Sequence, residues 1–160
     1  MQFTVISDMH GNTYALKRLI GILPAESHII FLGDGVAEAE QIMRNFPTIS
    51  FCAVRGNNDF YCDLPLWRTI EEDGCKILMT HGHYAYVKSG LFTLCDKARS
   101  EGAKVVLFGH THRRFCEERD GVLFLNPGAL YNSRPTDDGR GIVYATLTVE
   151  NGKASAVLHP

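Results

Sequence analysis

The sequence predicts an α/β fold in which a parallel half and an antiparallel half are covered by helices. In the first half, apolar, strand-like runs alternate with segments of helical spacing, and polar residues stand where each run ends. This order is typical of β-α units in a parallel sheet with right-handed crossovers. In the second half, Asp-Gly and Asn-Gly pairs separate runs of strand-forming residues. Such pairs are typical of antiparallel hairpins.

Three strands are predicted in the first half, over residues 2–6, 28–32 and 49–54. Helices follow the first two strands and begin near Thr13 and Val36. The second helix is expected to end near Phe46, because Pro47 cannot continue it.

The second half begins with a predicted hairpin, strands 67–72 and 75–80 around Asp73-Gly74, which leads into His81. A helix is expected from about Leu91 to Ser100, stopped by Gly102. A buried strand over 104–108 follows. Two more hairpins are expected at Asp120-Gly121 and Asn151-Gly152, with strand-like alternation from Gly141 to Val149 and a turn over 126–129.

Bulk composition excludes several classes of protein. A chain of 160 residues is expected to form one domain, residues 1–160. The net charge of −2 indicates no general attraction for nucleic acid or acidic membranes. No signal peptide and no membrane-spanning apolar run are visible. Five cysteines without a C-x-x-C pair indicate reduced thiols in a cytoplasmic protein. A homo-oligomer is compatible with the sequence.

Metal-binding residue types stand at the ends of five segments: Asp8 and His10, Asp34, Asn57, His81, then His110 and His112. Asp8 and His10 would share one face if the first strand extended that far. A single histidine is more often an ordinary hydrogen-bonded residue than a ligand. Seven such groups at consecutive segment ends nevertheless predict a metal site.

Asp, His and Asn ligands without thiolates suit Mn²⁺, Fe²⁺ or Zn²⁺. Seven ligands are too many for one ion and a reactive water. They suit two ions, roughly 3.5–4 Å apart and bridged by one carboxylate.

The chain resembles the calcineurin-like metallophosphoesterase superfamily, and within it the small prokaryotic single-domain phosphodiesterases. The motifs that carry the resemblance occur in the family's order: Asp8-x-His10, Gly33-Asp34, Gly56-Asn57-x-Asp59, His81-Gly82, Gly109-His110-x-His112 and Asn126-Pro127-Gly128. The resemblance implies a four-layer α-β-β-α sandwich of two mixed β-sheets flanked by helices. It also implies hydrolysis of a small phosphodiester by a metal-bridging hydroxide, without a covalent intermediate.

The resemblance further implies a division of the ligands between two metals. Asp8, His10 and His112 would bind the first ion, Asn57, His81 and His110 the second, and Asp34 would bridge them. Manganese is the expected ion, and iron, zinc, nickel and cobalt are the alternatives.

One position departs from many phosphomonoesterases of the superfamily, which have His where this chain has Asn58. An amide cannot donate a proton as imidazolium does, so Asn58 favours the phosphodiesterase subgroup. His83 is the replacement candidate for the acid, and a place in the loop wall is an equal alternative. Asp59 is expected to orient a metal ligand rather than to act on substrate.

Other candidate residues have two interpretations each. Arg113, Arg114 and Arg134 form either a phosphate-facing rim or ordinary solvated surface. Asn126 either bonds backbone near the His110 loop or holds its own turn. Five aromatic residues either stack on substrate or pack in the core and rim: Tyr61, Trp67, Tyr84, Tyr86 and Tyr131.

Two alternatives to a phosphodiesterase remain open. One is a phosphomonoesterase or nucleotide pyrophosphatase, and the other is a non-catalytic metal-binding interaction module of the same fold. The presence of all seven ligand types favours an enzyme.

Overall fold

A computed structural model describes residues 1–136 and 139–160. The strands in this part of the chain are β1 (Gln2–Ile6), β2 (His28–Phe31), β3 (Ser50–Ala53), β4 (Trp67–Glu72), β5 (Cys75–Thr80), β6 (Val105–Leu107), β7 (Phe115–Arg119), β8 (Val122–Asn126), β9 (Tyr144–Glu150) and β10 (Lys153–His159). The α-helices are α1 (Thr13–Ile22), α2 (Val36–Met43) and α3 (Phe92–Glu101), and short 3₁₀ helices span His83–Ala85 and Leu130–Asn132.

The strands form two five-stranded mixed sheets, ordered β10-β9-β1-β2-β3 and β4-β5-β6-β8-β7. The predicted pair of mixed sheets is confirmed, but the expected parallel half and antiparallel half are not separate. The last hairpin joins the first sheet, because β9 pairs antiparallel with β1. In the second sheet, β8 returns beside β6 and parallel to it, with β7 outside.

Three clusters of buried side chains define four layers. The two sheets face each other across a core that includes Val5 and Leu32 from the first sheet and Met79 and Leu107 from the second. Helices α1 and α2 cover the outer face of the first sheet. Helix α3 covers the second sheet through Leu94 and Ala98. The α-β-β-α sandwich follows from strands that are apolar on both faces, which must be covered on both sides.

Helix α2 is shorter than expected. It ends at Met43, and the N–H groups of Asn45 and Phe46 donate to the carbonyls three residues earlier. Pro47 disfavours α-helical backbone at Phe46, so the chain tightens into a turn before it. No helix within residues 1–136 and 139–160 is long and apolar enough to cross a membrane.

The loops at the carboxyl ends of the two central strands meet. β1 lies in the centre of the first sheet and β6 in the centre of the second. The loop after β1 contains Asp8, and the loop after β6 contains His110. The backbone N–H of His110 donates to Asp8 Oδ2 at 3.0 Å, which joins the two sheets at this edge.

Candidate metal centre

Five of the seven predicted ligands have left-handed backbone. Their φ angles are 53° at Asp8, 42° at His10, 64° at Asp34, 64° at His110 and 58° at His112. Positive φ is uncommon outside glycine and concentrates at functional sites. The same-face interpretation required β1 to extend through Asp8 and His10, but β1 ends at Ile6. The loop after β1, and not strand alternation, therefore brings Asp8 and His10 together.

Asp8, His10 and His112 form the first group of potential ligands. Asp8 Oδ1 lies 3.1 Å from His112 Nε2 and 3.8 Å from His10 Nε2, and the two histidine nitrogens are 3.2 Å apart. Asp8 is fully buried, and its Oδ2 accepts from the Ser7 hydroxyl at 2.6 Å. Its Oδ1 has no hydrogen-bond partner within the described residues. A buried carboxylate oxygen without a donor, beside two imidazole nitrogens, fits a cation.

His81 is the centre of the second group. Its Nε2 lies 3.1 Å from Asn57 Oδ1, 3.2 Å from His110 Nδ1 and 3.5 Å from Asp34 Oδ2. Its Nδ1 donates to the Leu32 carbonyl at 2.8 Å, which assigns the proton to Nδ1. The Nε2 lone pair therefore points toward the other ligand atoms, as in histidines that bind metals.

Asp34 lies between the two groups. Its Oδ2 is 3.6 Å from His10 Nε2 and 3.5 Å from His81 Nε2, and the residue is only 2% exposed. The structure thus brings all seven predicted ligand residues to one place, with Asp34 facing both groups. The donor set of carboxylates, imidazoles and one amide fits divalent cations of the Mn²⁺, Fe²⁺ and Zn²⁺ kind.

Asn58 and Asp59 hold the Asp34 loop. The Asn58 backbone N–H donates to Asp34 Oδ1 at 2.8 Å, and its side-chain amide donates to Oδ2 at 2.7 Å. The Asp59 carboxylate accepts from four backbone N–H groups, those of Asp34, Gly35, Val36 and Gly56. Burial alone would raise the pKa of Asp59, but these four donors outweigh it and lower that pKa below its ordinary value.

Two histidines of the site have lowered pKa values. Burial, the neighbouring His81 and the charge of Lys88 lower the pKa of His110 to about 4. Burial and His81 also lower the pKa of His83. The ring of His83 lies 5.4 Å from that of His81, and its buried Nδ1 has no partner within the described residues.

The other predicted residues lie at different distances from this centre. Tyr131 meets His10 edge-on at 6.0 Å, and Tyr61, Tyr84 and Tyr86 are exposed. Trp67 is partly buried against the core under α3, and Lys97 Nζ lies 5.8 Å from the centre of its ring. Arg113 and Arg114 line a cleft beside the His112 loop. The Arg134 guanidinium donates to the carbonyls of Tyr131 and Ser133.

Asn126 satisfies both of its interpretations. Its amide donates to the Gly109 carbonyl at 2.9 Å and to Thr111 Oγ1 at 3.1 Å, and its Oδ1 accepts from the Gly128 N–H. Asn126 therefore fixes the loop that presents His110 and His112.

Two supporting groups were not predicted, namely the Ser7 hydroxyl on Asp8 and the Leu32 carbonyl on His81. A hydroxyl directly before a ligand carboxylate was a usable signal for Ser7. Leu32 acts through its backbone carbonyl, which every residue type has, so the sequence gives no signal for this contact.

The sequence profile of the calcineurin-like phosphoesterase superfamily domain matches residues 1–152. The chain belongs to this superfamily. The member described here is 33% identical over 157 residues to the probable metallophosphoesterase YsnB of Bacillus subtilis, covering 97% of this chain and 88% of YsnB. It is 31% identical over 151 residues to phosphodiesterase MJ0936 of Methanocaldococcus jannaschii, covering 80% of this chain and 83% of that protein.

Two further similarities extend the picture of this superfamily member. Vacuolar protein sorting-associated protein 29 of Schizosaccharomyces pombe is 34% identical over 167 residues, covering 99% of this chain and 89% of that protein. A predicted phosphoesterase from Streptococcus pneumoniae superposes with a TM-score of 0.78 at 24% identity, covering 98% of this chain and 88% of the other. This last similarity shows the shared fold.

Proposed function

We propose that this metallophosphoesterase hydrolyses phosphodiesters with two divalent metal ions. Asp8, His10 and His112 would hold one ion, and Asn57, His81 and His110 the other. Asp34, which faces both groups, would bridge them. The observation that carries the proposal is the buried Asp8 Oδ1, which faces imidazole nitrogens of both groups and has no donor within the described residues.

Bound divalent ions would neutralise the phosphate oxygens and make a water molecule acidic enough to supply the nucleophile near neutral pH. The chain's own residues prepare the site. Ser7 and the His110 N–H occupy Asp8 Oδ2 and so leave Oδ1 for a cation. The Leu32 carbonyl fixes the His81 tautomer.

The preference for diesters is supported by Asn58. Its amide is engaged with Asp34 Oδ2 at 2.7 Å, so it acts on a ligand instead of offering a proton to a leaving group. The similarity to proteins named phosphodiesterase supports the same class. Manganese is the ion we propose first, and iron, zinc, nickel and cobalt are the alternatives.

The test combines metal analysis with a substrate panel. We expect about two metal equivalents in the purified protein, and faster turnover of bis(p-nitrophenyl) phosphate than of p-nitrophenyl phosphate or a dinucleoside pyrophosphate. Asp34→Asn should lose metal and cut turnover by about 10²-fold or more, because a shared carboxylate serves both ions. Asp96→Asn removes the same charge from exposed α3 and should leave both unchanged.

Other outcomes identify the alternatives. Faster turnover of the monoester or the pyrophosphate would replace the diesterase proposal with those activities. Bound metal without turnover of any ester would favour an interaction module, the possibility raised by the similarity to vacuolar protein sorting-associated protein 29. Two full equivalents and normal turnover in Asp34→Asn would refute the bridging role.

We also propose that the 160 residues form one domain that works in a reducing compartment such as the cytoplasm. All five cysteines lie in the described part of the chain and are free thiols there. Free thiols in this number are typical of reducing compartments.

A further inference from the structure

A second cleft shares two loops with the metal centre. It is lined by residues 87–91, Phe108, Thr111 and residues 113–115, and we call it the basic cleft. One wall contains Val87, whose side chain packs against Gly82, the residue after His81. The other wall contains Thr111, which lies between His110 and His112 and is fixed by Asn126. The basic cleft is therefore built on the same two loops that present three of the proposed metal ligands.

All the ionisable side chains that line the basic cleft are positively charged. Its ionisable lining residues are Lys88, Arg113 and Arg114, all exposed, and no acidic residue lines it within the described chain. The Arg114 guanidinium reaches the His159 carbonyl at 3.5 Å, but the Lys88 ammonium and the Arg113 guanidinium have no hydrogen bond or ion pair among the described residues. Two cations without partners are available to an anion, and guanidinium matches the geometry of phosphate.

The size and apolar walls of the basic cleft indicate that its ligand is larger than a simple inorganic anion. Its volume is ≈ 630 Å³, and ligand pockets commonly span roughly 300–1,000 Å³. Val87 and Phe108 are buried in its floor, and Leu91 and Phe115 are partly buried beside them. Such a surface takes an apolar or aromatic body, with the cations placed for a charged substituent.

A smaller cleft of ≈ 320 Å³ on the His10 side has no lysine or arginine among its described lining residues. Its carboxylates are Asp34, Glu38 and Asp59, and exposed Phe60 and Tyr61 complete it. An anionic group would find no cationic side chain there, whereas the basic cleft offers Lys88 and Arg113. The two clefts therefore distinguish the two ester arms of a phosphodiester.

We propose that the basic cleft binds the non-leaving arm of the substrate, and that this arm carries a second phosphate on an apolar or aromatic body. This proposal rests on the phosphodiesterase function proposed above. It makes Lys88 and Arg113 specificity-determining residues, and it predicts asymmetric substrates with one anionic arm and one uncharged or aromatic arm.

The test uses two substrates with the same leaving group, thymidine 5′-(p-nitrophenyl phosphate) with and without a 3′-phosphate. We expect the 3′-phosphate to lower KM about tenfold, the effect of one or two charge-assisted hydrogen bonds, with kcat little changed. Lys88→Ala and Arg113→Ala should each remove most of this advantage, measured in each variant as the ratio of the KM values for the two substrates. Lys153→Ala removes an exposed charge on β10 and should keep the full advantage. Equal KM values in the parent, or an advantage that survives the double variant Lys88→Ala/Arg113→Ala, would overturn the proposal.

A binding measurement separates this proposal from the function on which it rests. Thymidine 3′,5′-bisphosphate is titrated into protein loaded with diamagnetic Zn²⁺ and followed by amide NMR. We expect shifts in residues 87–91 and 111–115 that weaken in the double variant. Those shifts without turnover of any ester would refute the phosphodiesterase and support the basic cleft as an anion site. Unchanged amides in both segments would refute the cleft, whatever the turnover.

Discussion

Asp59 shows how one side chain can support a site without contacting its reacting atoms. Its carboxylate gathers four backbone N–H groups from the loops that carry Asp34 and Asn57. Three of these donors come from consecutive residues at the start of α2, where a negative charge is favoured. Asp59 therefore fixes the Asp34 loop and the entry of α2 together.

We expect Asp59→Asn to lower the free energy of unfolding by about 2–4 kcal/mol, because a neutral amide keeps one acceptor and turns an N–H₂ toward buried donors. Urea unfolding at pH 7 measures the change. Asp63→Asn, at an exposed position nearby, is the charge-matched control and should change stability by less than about 0.5 kcal/mol.

The same carboxylate gives a pH dependence with a defined sign. Because the pKa of Asp59 is lower in the folded chain than in the unfolded chain, its stabilisation is complete above its ordinary pKa of 3.8. It is lost as the pH falls through the folded value. The stability difference between the parent and Asp59→Asn should therefore be large at pH 7 and shrink below pH 3.8. An equal difference at pH 3 and pH 7 would contradict this role.

His83 is placed near the site but is poorly suited to act as an acid. Burial lowers its pKa, which disfavours the imidazolium form that a general acid needs. We expect a steep dependence of rate on the pKa of the leaving group, with aryl diesters hydrolysed far faster than alkyl diesters. His83→Ala should change both classes alike. A selective loss of alkyl diester activity in His83→Ala would identify it as the acid.

At the scale of single residues, the residue types alone were enough to predict most of the candidate metal site. Asp8, His10 and the other five metal-binding types were visible because each follows an apolar run, and the fold brings them together. The supporting contacts were less visible. The backbone carbonyl of Leu32 orients His81, and no side-chain pattern marks a carbonyl for that task.

At the scale of single elements, the loop at Gly56 is constrained by close packing. A Cβ atom at Gly56 would lie 2.6 Å from the Asp34 backbone nitrogen and 2.8 Å from its carboxyl carbon. The loop after β3 can therefore approach Asp34 this closely only with glycine at this position.

Two Gly→Ala changes should have opposite effects. Gly56→Ala should lower the free energy of unfolding by about 1–3 kcal/mol and reduce metal content, because the Asp34 loop must move. Gly21→Ala, in α1 with open space around it, should raise that energy by about 0.5–1 kcal/mol. Thermal unfolding and metal analysis of both variants measure these effects. Unchanged metal content in Gly56→Ala would mean that the loop tolerates the methyl group.

Local elements were predictable, and their long-range partners were not. The hairpin of β4 and β5 has the predicted boundaries, because Asp73-Gly74 sets its turn and register locally. The hairpin of β9 and β10 was also visible from Asn151-Gly152. Its place beside β1 was not, since an alternating strand pattern identifies a buried face but not the neighbouring strand.

At the scale of the whole molecule, metal binding should be coupled to stability. The proposed ligands come from both sheets, so ions that bind the folded site stabilise the entire sandwich. Each ion at a free concentration of 100 times its dissociation constant contributes about 2.7 kcal/mol. For a chain of this size, two ions should raise the melting temperature by on the order of 10 °C.

Calorimetry with added Mn²⁺ and with a chelator measures this shift, and Asp34→Asn should show much less of it. We also expect one cooperative transition, as the proposal of a single domain requires. Two resolved transitions that respond separately to metal would contradict that proposal.

The pairing of β1 with β9 also constrains how the chain folds during synthesis. β1 carries the loop of Asp8 and His10, and one of its edges is completed only by residues 144–150. While the ribosome is still making the second sheet, that edge has no neighbour. Such long-range closure is slow compared with local hairpin formation. We therefore expect nascent chains released before β9 to expose the edge of β1 and to depend on chaperones.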